Sequence, residues 1–375
     1  MQLNKIYNID ALEGLKKLDS ESVDCVVTSP PYWNLRDYGV EGQLGLEPTF
    51  QEYITKLIEI FDEVKRVLKK EGTCWVNIGD TYSGAGAGQK DTGKAVYEEN
   101  DFRKKPSKTN LPDKSLCLIP FRFAILMQER GWILRNDIVW FKRNSMPSSV
   151  KDRFANKWEH IFFFVKNKKY YFDLNSVRKP YLEASVNRIN AGFSDKVSFN
   201  YRVRESLKGT LEPNFGSRYN ATEEEKTKYK NMSLEQAEAL GDPRAREVRY
   251  KDKVGNGQLS DKAYQRKVLG IPHDEANTNP LGGNPGDHWD ITTQPHPFAH
   301  FACYPERLCE TPIKCGSPKD GLVLDMFMGS GTTAVVAKRL GRNFIGFELN
   351  PFYIEIAKKR LNEVEHPLII YQNAN

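Results

Sequence analysis

The sequence predicts an α/β fold built on an open sheet, and three observations predict it. Short apolar runs alternate with amphipathic stretches of helical period over residues 1 to about 175. The same alternation returns over about 286 to 375. In that second region a strand leads through a glycine-containing turn into a helix, "LVLDMFMGSGTTAVVAKRLG", as parallel α/β units do.

Each element has its own local reason. "VDCVVTS" is a strand, and "TFQEYITKLIEIFDEVKRVLKKEG" is an amphipathic helix expected to end with Gly72 as its C-cap. "TCWVNIGD" is a strand, "IPFRFAILMQERG" a helix, and "WILRNDIVWFK" and "HIFFFVK" are strands. In the second region "PERLCETPIKCG" is a helix with Pro305 near its start and Gly316 at its end. Strand "GLVLDMF", helix "TTAVVAKRLG", strand "NFIGFEL" and helix "PFYIEIAKKRLNEV" follow. Residues 178–285 between the regions are polar, without a sustained apolar period, and read as an inserted module. Residues 83–110 are too long for an ordinary connection and read as a mobile loop. The expected division is therefore 1–177 with 286–375, and 178–285 inserted.

Composition narrows the class. With 375 residues, 39% hydrophobic and 28% charged, the chain suits a soluble globular protein with a sizeable core. No apolar run approaches the roughly 18 residues of a membrane span, and "MQLNKIYNIDALEGL" lacks the features of a signal peptide. A cytoplasmic protein is expected. The six cysteines form no CxxC pair, and the six-residue spacing of Cys303, Cys309 and Cys315 is not that of metal ligands. Reduced, mostly buried thiols and no metal are expected. The net charge is +6, yet Lys142 to Asn200 holds twelve Lys/Arg against five Asp/Glu, or +7. Such a band suits either a phosphate backbone or a solvated face.

One motif is a decoy. "GQKDTGKA", Gly88 to Ala95, has the spacing of a phosphate-binding loop. Ala95 stands where Ser or Thr would hold Mg²⁺, and no apolar helix follows to receive the phosphate. An ATP-dependent nucleic-acid binding protein is thus a weak rival reading.

Two motifs carry chemistry. In "TSPPYWNLRDYG", Pro30 and Pro31 remove two backbone donors and fix two φ angles directly after an apolar strand. In the second, a strand ends at Asp325, Gly329 and Gly331 form the turn, Thr332 and Thr333 open a helix, and the next strand ends at Glu348. Glycine is expected where a ligand approaches the backbone, and an acid about 20 residues on accepts from both ribose hydroxyls. Gly329 to Glu348 spans 19 residues. The third glycine of the dinucleotide fingerprint is missing, which favours an adenosine ligand without pyrophosphate, such as S-adenosylmethionine, over NAD.

Together "TSPPYW", "DMFMGSGTT" and "GFELN" resemble the amino-group DNA methyltransferases. Their catalytic motif is [Ser/Asn/Asp]-Pro-Pro-[Tyr/Phe], and their cofactor motif is a strand leading into Phe-x-Gly-x-Gly. Here the catalytic motif comes first by about 300 residues, which resembles the permuted β-class arrangement. The resemblance covers nearly all of 1–175 and 285–375. It implies a Rossmann-like sheet, circularly permuted, with the insert as target-recognition module. It also implies S-adenosylmethionine as methyl donor and double-stranded DNA as partner. A cognate restriction endonuclease and a homodimer remain open as further partners.

The chemistry follows from the amine. Its lone pair is delocalised into the ring, so acceptors at fixed positions must localise it as the nitrogen turns tetrahedral. The Pro30 carbonyl and Ser29 hydroxyl supply such acceptors, Pro31 stiffens them, and Tyr32 stacks on a base flipped from the duplex. Methyl transfer is then direct and in line. Ser29 in place of Asp implies N4 of cytosine, with N6 of adenine as the alternative, because a neutral hydroxyl accepts less strongly than a carboxylate. An RNA or protein-amide methyltransferase shares this logic, but the permuted order and the insert argue against it.

The resemblance implies further roles. Asp10 in "YNIDAL" either meets the adenine amino group or caps a helix over 11–18. Asp325 faces the methionine amino group, and Phe327 either packs on the adenine or belongs to the core. Phe301, Ala302 and Pro305, in "HFACYPERL", occupy the place of the methionine-carboxylate motif, with helix N–H groups starting near Pro305. Asp80 lines the pocket or caps the loop after it. Ser145, Ser148, Lys151, Arg153 and Lys157, in "NSMPSSVKDRFANKWEH", follow the DNA backbone. His160 reads as structural.

Overall fold

The structure, a computed structural model, describes residues 1–84, 109–145, 148–181, 227–228, 231, 236, 279, 281–293 and 304–364. The centre of the expected loop, residues 85–108 with the decoy motif, lies outside the described residues, as do Phe301 and Ala302. The chain divides into two compact units, Met1–Val177 with Asn284–Asn375, and Arg178–Gly283. In the second unit the described residues include an antiparallel bridge between Lys179 and Gly283.

The first unit carries one eight-stranded sheet. In chain order its elements are β1 (Lys5–Asn8), α1 (Ala11–Lys16), β2 (Val23–Thr28), α2 (Phe50–Val67), β3 (Leu68–Ile78), α3 (Ile119–Glu129), β4 (Ile133–Phe141) and β5 (Trp158–Val165). After a 3₁₀ turn at Leu174–Val177 come β6 (His288–Asp290), α4 (Glu306–Gly316), β7 (Leu322–Asp325), α5 (Thr332–Arg339), β8 (Asn343–Glu348) and α6 (Pro351–Glu363). The strand order is β1-β8-β7-β2-β3-β5-β4-β6. β5 runs antiparallel to both its neighbours, and every other pairing is parallel.

This order explains the permutation. β7 pairs with β2 through Cys25↔Val323 and Val26↔Leu324, so two motifs about 300 residues apart leave adjacent strand ends. From β2 the chain winds through α2 to β3, and from β7 it winds through α5 to β8 on the other side. The gap between β2 and β7 is the topological switch point, where open α/β sheets bind ligands.

The residues of β2 sort to the two faces of the sheet. Val26 packs with Leu15, Leu57, Phe61, Phe123 and Met127 of α1, α2 and α3. Cys25 and Val27 pack with Leu308 and Ile313 of α4 and Val336 of α5. Both faces are covered, which is why the strand reads as a continuous apolar run. α2 begins at a Thr49 N-cap whose hydroxyl accepts from Glu52 N–H at 3.2 Å and donates to Glu52 Oε1 at 3.0 Å.

Two expectations need correction. α2 ends at Val67 rather than at Gly72. Leu68 is fully buried and pairs with Val23, so sheet pairing captures it before the helix reaches glycine. The register then jumps to Cys25↔Thr73. Gly72 serves that irregularity, since a Cβ there would lie 2.6 Å from Leu68 Cδ1. The edge strands β1 and β6 were not expected. They are four and three residues long, too short for a periodic signal.

The five described cysteines are buried and free, and burial pushes the Cys25 thiol up to about 12 and Cys117 to about 11. Alkylation of the folded protein at about pH 8, read by peptide mapping, will therefore leave Cys25, Cys74, Cys117, Cys309 and Cys315 unmodified. Denaturation will expose all five. Labelling of native Cys25 would contradict the packing of β2 between its two helix layers.

Candidate active site

Asp325 ends β7 as a fully buried carboxylate directly beside Thr28, the last residue of β2. Oδ1 accepts from the Thr28 hydroxyl at 2.6 Å and from Phe327 N–H at 3.0 Å. Oδ2 accepts from the hydroxyls of Thr333 at 2.7 Å and Tyr304 at 3.0 Å. Burial raises the acid's pKa and these donors oppose the rise. Four donors fill the four acceptor sites of a carboxylate. This corrects the expected contact with a methionine amino group: Asp325 ties the two motif strands and the helix after them together.

The glycine turn follows. Gly329 has φ +51° and its N–H donates to Glu348 Oε2 at 2.7 Å, while Glu348 Oε1 accepts from Asn350 N–H at 2.8 Å. Burial raises the Glu348 pKa against these hydrogen bonds. Arg360 of α6 clamps the turn from behind, donating to the Ser330 carbonyl at 2.8 Å and the Thr332 hydroxyl at 3.0 Å. Gly331 differs from the expectation. Its φ is +83°, and a Cβ there would lie 2.6 Å from Ala357 Cβ. The glycine is required by packing against α6 and not by ligand approach. Thr333 is likewise buried on Asp325, and Pro305 is the buried N-cap of α4, so neither lines the cavity.

A cavity of about 490 Å³ opens over the switch point, within the range of small-molecule sites. One half is walled by Asp10, Phe327, Gly329, Thr332 and Glu348. Asp10 caps α1, its Oδ1 accepting from Leu12 and Glu13 N–H at 2.8 and 3.1 Å, and the residue also borders the cavity. Phe327 both packs against the core cluster and faces the cavity.

The other half is walled by Ser29, Pro30, Pro31 and Tyr32 with Asn77, Trp140, Lys142 and Glu159. Tyr53 donates to the Pro31 carbonyl at 2.8 Å, which anchors the loop from α2. Among the described residues none donates to the Pro30 carbonyl. The Ser29 hydroxyl donates to Asn77 Oδ1 at 3.4 Å, leaving its lone pairs as acceptors. Tyr32 donates to Asn77 Oδ1 and Glu159 Oε2 at 3.0 and 2.8 Å. Asn77 Nδ2 bonds the His160 carbonyl at 3.0 Å and Glu159 Oε2 at 3.3 Å. Lys142 pairs with Glu159 Oε1 and lies 4.2 Å from the Trp140 ring centroid. Burial, with Glu159 beside it, holds the Tyr32 phenol well above its usual pKa. Gly79 makes room for the ring, since a Cβ there would lie 2.3 Å from Tyr32 Cε2.

Other expectations resolve simply. Asp80 Oδ1 accepts from Thr81 and Ile119 N–H at 2.9 and 3.1 Å, so it caps the loop and the start of α3. His160 Nδ1 meets Asp137 Oδ1 at 2.7 Å and is structural. Ser148, Lys151, Arg153 and Lys157 are exposed on the segment joining β4 to β5, and Ser145 is half-buried at its start. The Arg153 guanidinium lies 4.1 Å from the Tyr82 ring centroid. Lys142, the first residue of the basic band, points instead into the cavity wall.

Asn77, Glu159, Lys142 and Tyr304 escaped the sequence reading. For Asn77 and Glu159 a signal was present: a polar residue in a strand otherwise apolar, as in "CWVNIGD" and "WEHIFFFV", must have a buried partner; Lys142 and Tyr304 lie outside the strands and carried none.

Comparison with known proteins agrees with this geometry. The DNA methylase family model N6_N4_Mtase matches residues 23–359. The type II methyltransferase M.SfiI of Streptomyces fimbriatus is 34% identical over 93% of this chain and 89% of its own. M.SmaI of Serratia marcescens is 33% identical over 95% and 90%. Among solved structures, the cytosine-N4-specific PvuII DNA methyltransferase shares the fold with a TM-score of 0.50 and 21% identity, over 97% of this chain and 89% of that one.

Replacing Asp325 by Leu removes the acceptor shared by three hydroxyls and one N–H, leaving Thr333 only the Val27 carbonyl at 3.4 Å and Tyr304 only the Thr333 hydroxyl. Unfolding in urea will show a loss of stability on the order of 3 kcal/mol or more. A loss below about 1 kcal/mol would mean that the donors find other acceptors.

Proposed function

Because the chain belongs to the N6/N4 family of DNA methylases, we propose that it methylates N4 of cytosine in duplex DNA, at one short sequence context. The methyl donor is S-adenosylmethionine, and the amino-nitrogen chemistry is that of the family. Ser29 carries the choice of base: a neutral hydroxyl on the cavity wall, its proton directed to Asn77 and its lone pairs left to accept. A carboxylate at that position would suit the more demanding amine.

The residues of both cavity halves fit this reaction. Glu348 borders the cavity with each carboxylate oxygen held by one N–H, leaving lone pairs for two ribose hydroxyls. Phe327 offers an apolar face for a purine, and the positive φ of Gly329 lets the backbone turn close beneath the ligand. The sulfonium supplies an electrophilic methyl group. Across the cavity the Pro30 carbonyl and Ser29 hydroxyl accept from the two amine hydrogens, which directs the nitrogen lone pair outward. Tyr32, tethered by its hydroxyl, offers its ring to the flipped base. The exposed cations Lys151, Arg153 and Lys157 track the phosphate backbone, with Ser145 and Ser148 adding neutral contacts. Residues 178–283 supply target recognition. A cognate endonuclease with the same target, and a homodimer in solution, complete the reading.

Long-read sequencing of DNA from cells expressing the chain will show N4-methylcytosine in one sequence context. Ser29→Ala will reduce the signal by about 100-fold, the scale of one lost transition-state acceptor. N6-methyladenine in its place would overturn the role given to Ser29 while leaving the cavity's division intact.

A further inference from the structure

The base half of the cavity lies at one edge of the sheet. β2 and β3 pair in parallel through Thr28↔Val76, and β5 runs against β3 and β4 through Ile78↔His160 and Phe141↔Trp158. The ends of β2, β3 and β4 and the start of β5 therefore share that edge. The segment joining β4 to β5 leaves from it and returns to it. At its base the Lys142 N–H donates to the Lys157 carbonyl at 2.7 Å. Asn144 closes the same base on Thr293, donating to its carbonyl at 2.8 Å and accepting from its N–H at 2.9 Å. Lys142, Glu159 and Thr293 all line the cavity, so the segment stands on the cavity's rim.

The tip of the segment is pinned to the chain just beyond β3. The Arg153 guanidinium lies 4.1 Å from the Tyr82 ring centroid and donates to the Phe154 carbonyl at 2.9 Å. The Tyr82 hydroxyl donates to Asn156 Oδ1 at 3.3 Å, and Asp152 pairs with Lys114 at 2.7 Å. This frame holds out one large apolar side chain. Phe154 is 96% exposed, against 37% for Val150 and 47% for Trp158 on the same segment. A ring left wholly in water forgoes the gain of burial, although its backbone is fixed on both sides. Around it stand the exposed cations Lys151, Arg153 and Lys157. A partner for this tip must offer both negative charge and an apolar slot, and a duplex opened at one base pair offers phosphates flanking a gap in the stack.

We propose that Phe154 is a wedge that enters the base stack of duplex DNA at the gap left by the flipped target base, while Lys151, Arg153 and Lys157 hold the phosphates beside it. Flipping costs the stacking of the extruded base on its neighbours, and an apolar side chain in its place recovers part of that cost. Phe154 is thus a positioning residue: it stabilises the open duplex and touches none of the reacting atoms. The inference rests on the reading of duplex DNA as substrate but not on which base is modified, because a flipped cytosine and a flipped adenine leave the same kind of gap.

Single-turnover methyl transfer is measured at saturating S-adenosylmethionine and DNA, on two duplexes that carry the methylated sequence. One is fully paired, and the other has a mismatch at the target base. On the paired duplex Phe154→Ala is expected to be slower than wild type by about tenfold, within the range of one lost aromatic stack. On the mismatched duplex, where opening is already favourable, its rate is expected within about twofold of wild type. Phe154→Leu, which still offers an apolar wedge, is expected to keep about a third or more of the wild-type rate on the paired duplex. Saturation removes differences in affinity, and rescue by the mismatch is a readout that loss of folding would not give. A Phe154→Ala rate within about twofold of wild type on the paired duplex overturns the wedge. So does an equal loss on both duplexes, which marks a role other than opening the pair. Absence of any methylated base in the wild-type reaction would instead defeat the proposed function, and the wedge with it.

Discussion

The hydrogen bond from the Thr28 hydroxyl to Asp325 Oδ1, 2.6 Å long and fully buried, is the constraint on which the site depends. It joins the last residues of β2 and β7, the strands flanking the switch point. Both motifs leave from these two ends: the Ser-Pro-Pro-Tyr loop from one and the glycine turn from the other. A buried carboxylate is unfavourable unless its acceptors are filled, and here four donors from four segments fill them. The cost of burial is thereby turned into registration. Shifting either strand would strand the charge.

From that joint the two cavity halves are stiffened separately. The glycine turn is held between Glu348 in front and Arg360 behind. The proline loop is held by the Tyr53 hydroxyl on the Pro31 carbonyl and by Tyr32 on Asn77 and Glu159. Neither clamp uses the Pro30 carbonyl or the Ser29 lone pairs, the acceptors that the proposed reaction assigns to the amine. The Pro30 carbonyl and the Ser29 lone pairs stay available while their neighbours carry the structural bonds. Preorganisation of this kind places acceptors before the substrate arrives, so no reorganisation is needed during transfer.

Much of this was legible in the sequence, and the boundary of legibility has a physical reason. Strand–turn–helix units announce themselves locally, so the α/β class, the two motifs and their residues were readable. The tie between Thr28 and Asp325 joins residues 297 apart, and no local period encodes such a contact. Gly331 illustrates the converse error. A glycine in a ligand-binding turn invites the inference of ligand approach, yet its missing side chain is filled by Ala357 of α6. Asn77 and Glu159 were hidden for a different reason. A polar residue inside an apolar strand signals a buried partner without saying which, and only the antiparallel pairing of β3 with β5 brings Asn77 opposite Ile161 and beside Glu159.

The neutral side chain at position 29 also has an electrostatic consequence for the proposed reaction. During direct transfer, positive charge moves from sulfur toward nitrogen. A bare carboxylate touching the amine would hold the charged donor in the ground state as well as the developing charge in the transition state, and only the difference accelerates the step. With Ser29 in place, the wall offered to the amine is neutral, and the negative charge of Glu159 is offset by its pairing with Lys142. In the proposed reaction that arrangement favours the amine through hydrogen-bond geometry and not through a charge in contact with it. The Lys142 ammonium also lies over the Trp140 ring at 4.2 Å, where the ring face stabilises it.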